Sequence, residues 1–87
     1  MPHVLIRHKV TDFEGWKPVY DAHASARASA GLKEEHLFRN ADNSHEVILL
    51  FTAESLDKAR AFAESADLRQ KMQTAGVMDQ PDIYFLN

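Results

Sequence analysis

The chain has 87 residues, with ten Lys and Arg against thirteen Asp and Glu, five histidines and no cysteine. A single domain of this size, residues 1–87, buries only about two-thirds of the surface its unfolded chain exposes, and it has no disulfide, thiolate metal site or thiol nucleophile to draw on. The formal charge of −3, with basic residues scattered among acidic ones, excludes a nucleic-acid stripe. With no basic leader and no bilayer-length apolar run, the expectation is a cytoplasmic protein with no membrane partner.

His3 to Val10 reads as a first strand, in which Val4, Ile6, His8 and Val10 share one face and Arg7 lies on the other. Thr11-Asp-Phe-Glu14 has the form of a capping box. Pro18 is a poor residue for a helix interior, so the pattern predicts a turn at Asp12 to Gly15 and a main helix from Trp16 to Ala30, ended by Gly31. Trp16, Tyr20 and His23 fall on one stripe of that helix, facing the sheet.

Glu35 to Asn40 and Glu46 to Thr52 read as two strands of a hairpin, joined by the turn-forming run Ala41 to His45. Val47 to Phe51 is apolar on both faces, as a central strand would be. Leu56, Ala59, Phe62 and Ala63 repeat at helical spacing after Ser55, and Ser65 caps a further turn with Leu68 and Met72 on one face, ended by Gly76. Asp82 to Leu86, after Pro81, is the last strand.

This order predicts an α+β fold, a ferredoxin-like βαββαβ antiparallel sheet with its helices on one face. No chain is left to cover the other face, where Leu5 and Ile48 lie. A wet patch of that kind implies a partner, and a second copy across a two-fold axis is the simplest.

The residues also resemble a family. Val4-Leu-Ile-Arg-His-Lys-Val10 with Asp12-Phe-x-x-Trp16-Lys17, Leu37-Phe-Arg-Asn40, Ser65-x-Asp-Leu-Arg69 with Met72, Gly76-Val77, and Pro81-Asp-Ile-Tyr-Phe-Leu86 are similar to the dimeric α/β-barrel proteins, which include antibiotic-biosynthesis monooxygenase-like domains and small cyclase-like proteins. The resemblance implies a ferredoxin-like protomer, a barrel-like homodimer and a small pocket between sheet and helices. It spans oxygenases that use no cofactor, haem degraders, isomerases and proteins of no assigned activity. The haem-degrading branch places Asn on the first strand, Trp after the third and His on the late helix. Here those positions read Arg7 or His8, Ala53 and Met72, which disfavours haem chemistry.

His8 is the candidate general base, because imidazole titrates near neutrality. The working expectation is a His8, Tyr20, His23 cluster that orients a phenolic or enolic substrate and removes its proton, with His8 serving as hydrogen-bond partner to the helix stripe. Trp16 is read as the apolar wall, Arg7 and Arg39 as binders of a substrate oxygen through paired donors, and His36, which alternates with Phe38, as a further pocket residue. The bland alternatives are core packing for Trp16 and Tyr20 and rim ion pairs for the arginines. No metal is assigned, since H-E-x-x-H and helical i, i+4 histidine pairs are absent, leaving only His8 with His23 as a two-histidine pair. The expected function is a monooxygenase- or cyclase-like enzyme, without a tightly bound cofactor, acting on a small aromatic or polyketide-like compound. The alternative is a non-catalytic ligand-binding or stress-related dimer.

Overall fold

The computed structural model describes residues 1–77 and 81–87. Its elements run β1 (His3–Lys9), α1 (Phe13–Ala22), α2 (Ala24–Ser29), β2 (Leu32–Asn40), β3 (Asn43–Ala53), α3 (Leu56–Ala63), α4 (Ala66–Thr74) and β4 (Asp82–Leu86). The four strands form one antiparallel sheet in the order β2-β3-β1-β4. This is the expected ferredoxin-like arrangement, and β3 is central because its inward residues Val47, Leu49, Phe51 and Ala53 are all buried.

The first helix departs from expectation at both ends. It starts three residues earlier than Trp16, because Asp12 rather than Thr11 is the N-cap and its carboxylate accepts the Gly15 N–H at 3.1 Å. Pro18 therefore lies inside α1. It is exposed there, so the carbonyl deprived of its partner faces water. The helix then turns a corner at His23, whose N–H bonds Tyr20 O at 3.1 Å, and resumes as α2. Gly31 ends α2 with φ of 76°, a left-handed conformation that a Cβ disfavours.

The hairpin turn is tighter than expected, with Asn40 pairing Asn43 across Ala41 and Asp42. Asn40 Oδ1 accepts the Asp42 N–H at 2.8 Å, an Asx turn. Strand β2 contains a bulge between Glu34 and His36. Before it, Leu32 and Glu34 pair with the inward Ala53 and Phe51; after it, His36 and Phe38 pair with the outward Leu50 and Ile48. One extra residue thus exchanges the two faces of the strand.

The core joins the sheet's inner face to the helices through Val4, Val10, Trp16, Leu49, Phe51 and Ala59. Phe51, Val10 and Val47 are the largest side chains with almost no exposure. Burial of each such side chain contributes about 1.5–3 kcal/mol. The outer face keeps Phe38, Tyr84 and Leu86 exposed at 54%, 52% and 41%. Across it Arg7 reaches Glu46 on β3 at 2.7 Å and Asp82 on β4 at 2.8 Å. No helix among the described residues is long and apolar enough to cross a membrane.

Candidate active site

A half-open cavity of about 60 Å³ lies between the inner sheet face and the helices. Strands β1, β3 and β4 supply its floor through Ile6, His8, Leu49, Phe51 and Ile83. Trp16, Val19, Tyr20 and His23 of α1 form one wall, continued by Arg27 of α2. Phe62 of α3 and Leu68, Lys71 and Met72 of α4 close the other side.

Strand alternation turns His8 inward, as expected, and the ring is buried at 4% exposure with its centroid 5.6 Å from that of Trp16. Trp16 in turn stacks on Tyr20 at 4.7 Å and 22°. His23 is also buried, packs its ring 5.8 Å from Phe62, and holds Asp67 Oδ2 at 2.8 Å through Nε2. The structure therefore brings His8, Trp16, Tyr20 and His23 to one cavity.

The expected hydrogen bond from Tyr20 to His8 is not formed. Tyr20 donates its hydroxyl to Glu34 Oε1 at 2.6 Å, because the residues before the β2 bulge face the helices. Burial, and then the hydrogen bond to Glu34, push the phenol well above the usual tyrosine range. Its ring lines the cavity, with the guanidinium of Arg27 over it.

Three of the four binding residues read from sequence are elsewhere. Arg7 points to the outer face, where Glu46 and Asp82 hold it, since it neighbours the inward His8. The charge of Glu46 is the largest influence keeping the guanidinium protonated. His36 is exposed on the same outer face, stacked on Phe38 at 5.3 Å, because the bulge reversed the alternation that would have aimed it inward. Arg39 is on the inner face but caps the ring of Phe13 at 4.3 Å, away from the cavity lining.

Sequence reasoning missed Arg27, Lys71 and Asp67. Arg27 was findable, since it extends the stripe of Trp16, Tyr20 and His23 by one further turn. Its guanidinium lies 3.7 Å from the Tyr20 ring centroid and donates to Tyr20 O at 2.7 Å. Lys71 and Asp67 carry no such signal, because helix α4 is polar around most of its circumference. Among the described residues no group of three or more His, Cys, Asp or Glu side chains could hold a metal ion.

No family model and no curated protein matches this sequence. Solved structures do match its shape over nearly its whole length. A Bordetella bronchiseptica protein called "putative antibiotic biosynthesis monooxygenase" superposes with a TM-score of 0.79 at 14% identity, covering 99% of this chain and 94% of that one. A Caulobacter crescentus protein of the same description gives 0.73 at 15% identity, covering 98% and 86%. An uncharacterized NIPSNAP domain protein from Burkholderia xenovorans gives 0.65 at 7% identity, covering 100% and 93%. The chain shares the fold of these proteins.

Proposed function

We propose that the protein is a monooxygenase- or cyclase-like enzyme that binds a small aromatic compound in the cavity and uses His8 as its base. The observation that carries this reading is the burial of His8 at the floor of an apolar cavity walled by Trp16. An imidazole in such a site removes a proton from an enolisable ring carbon, and general-base help of this kind is worth roughly 10²–10⁴-fold. The resulting carbanion reacts with dissolved dioxygen to give a peroxide adduct, and loss of water leaves a carbonyl, so that CH₂ and O₂ become C=O and H₂O. Without oxygen the same base transfers a proton within the substrate.

The names of the Bordetella and Caulobacter proteins support this class of chemistry. The cavity volume, about 60 Å³, narrows the substrate. A benzene ring occupies a cavity of about 150 Å³ and larger ligands need about 300 Å³ or more. Met72 and Ile83 separate the cavity from a more open groove of about 460 Å³. Methionine repacks at low cost, so a single ring is admitted by displacing Met72.

The test is deuterium exchange at the ring carbons of phloroglucinol in D₂O, together with oxygen uptake. Acceleration by the protein that falls at least about 100-fold in His8→Ala supports the reading. Ligand binding with no acceleration of either process assigns the protein to the non-catalytic alternative.

We further propose that a second copy covers the outer sheet face. Leu5, Ile48 and Leu50 form an apolar strip beside the exposed Phe38, Tyr84 and Leu86, and the Arg7, Glu46 and Asp82 cluster gives that face both signs of charge. Sedimentation of the purified chain tests this, with Leu50→Glu expected to convert a dimer to a monomer. A monomeric native chain would remove the proposal.

A further inference from the structure

Among the described residues, the ionisable side chains lining the cavity other than Tyr20 are all basic: His8, His23, Arg27 and Lys71. Among the described residues no carboxylate lines it, although the chain as a whole carries a net charge of −3. Arg27 is held over Tyr20 by its contact with the ring and by a hydrogen bond, made through Nη1 to the Tyr20 carbonyl. A guanidinium has five donors, so others remain for a ligand. Lys71 follows Asp67 by four residues on α4, a spacing at which the two would ordinarily pair. Asp67 instead turns to His23 at 2.8 Å, and no carboxylate among the described residues lies within ion-pair distance of Lys71. The His23 contact thus withdraws the neutralising carboxylate from Lys71.

Resting on the reading of this cavity as the ligand site, we propose that it selects a small organic monoanion, a single-ring aromatic acid. The ring lies against Trp16 and Met72, and the carboxylate lies between Arg27 and Lys71. Arg27 offers paired N–H donors to the carboxylate, and Lys71 adds a point charge.

Trp16 is the sole tryptophan and lines the cavity, so its fluorescence reports occupancy. The full chain is titrated with benzoate and with benzamide, its uncharged counterpart, at low and high salt. Benzoate is expected to bind about tenfold more tightly than benzamide at low salt, with the preference shrinking as salt screens it. Lys71→Gln, on an exposed position of α4, lowers that preference, and Arg27→Gln with Lys71→Gln abolishes it. Equal affinity for the two probes, or a preference that survives the double variant, overturns the anion proposal and leaves the cavity reading in place. Failure of both probes to change Trp16 emission overturns the cavity reading itself.

Discussion

His23 Nε2 lies 2.8 Å from Asp67 Oδ2, and this contact ties the corner between α1 and α2 to the first turn of α4. Asp67 sits where a negative charge also favours the helix N-terminus. Asp67 is largely exposed, which limits the gain, so Asp67→Ala is expected to cost about 1 kcal/mol in denaturant unfolding. Amide exchange over residues 66–74 should accelerate more than in β3. Unchanged exchange in α4 would show that the contact does not hold the helix in place. Asp67→Asn, which keeps an acceptor, should lose less.

Tyr20 and Tyr84 are the two tyrosines, so Tyr84→Phe isolates the buried one. The phenol of Tyr20 is pushed up by burial and by donation to Glu34. A group whose folded value is raised contributes stability that is present below its unfolded value, about 10 for tyrosine, and that is lost as pH rises further. In Tyr84→Phe the tyrosinate absorbance near 295 nm should therefore appear only together with unfolding. Reversible ionisation near pH 10 in the folded protein would contradict the buried hydrogen bond to Glu34.

Glu46 accepts from Asn40 at 3.0 Å and from Arg7 at 2.7 Å. The Asn40 amide chiefly, with the charge and hydrogen bond of Arg7, holds its carboxyl below the usual range against the opposing effect of desolvation. The sign is opposite to that of Tyr20: the stabilisation is present above the unfolded value, about 4.3, and is lost as pH falls through the lower folded value. Glu46→Gln should flatten the dependence of unfolding free energy on pH below about 4.3. An acid limb identical to that of the native chain would show that Glu46 plays no part in it.

Gly76 has φ of 82°, and a Cβ built there would sit 2.5 Å from Thr11 Oγ1. The same segment accepts the Thr11 N–H at Gly76 O, joining the end of α4 to the exit of β1. Gly76→Ala should destabilise the fold by about 1–2 kcal/mol from backbone strain, more with the clash included. Thr11→Ala in the same chain should recover only the clash. Thermal or denaturant unfolding decides it, and a neutral Gly76→Ala would show that the turn relaxes to negative φ.

The strand and helix order was legible because each element follows from its own neighbours. The inward row of Val4, Ile6, His8 and Val10 needs only strand alternation, and the stripe of Trp16, Tyr20 and His23 needs only helical spacing. His36 failed for a reason that no local pattern shows. The bulge in β2 exists only in the pairing with β3, and it carries His36 and Phe38 to the opposite face from Glu34. The start of α1 lies before the expected Trp16 because the expectation puts Pro18 in the first helical turn, while a cap by Asp12 and an exposed position for the proline let the helix run through it.

By itself, then, the sequence determined the fold class, the inward aim of His8 and the side of the first helix that faces the sheet, since these follow from periodicities of two and 3.6 residues within one segment. Only the tertiary structure decided that Tyr20 donates its hydrogen bond to Glu34, that Asp67 leaves Lys71 for His23, and that Arg27 and Lys71 line one cavity. Those relationships join residues 14 to 44 positions apart, and they depend on strand register and helix docking, which are properties of the packed chain as a whole.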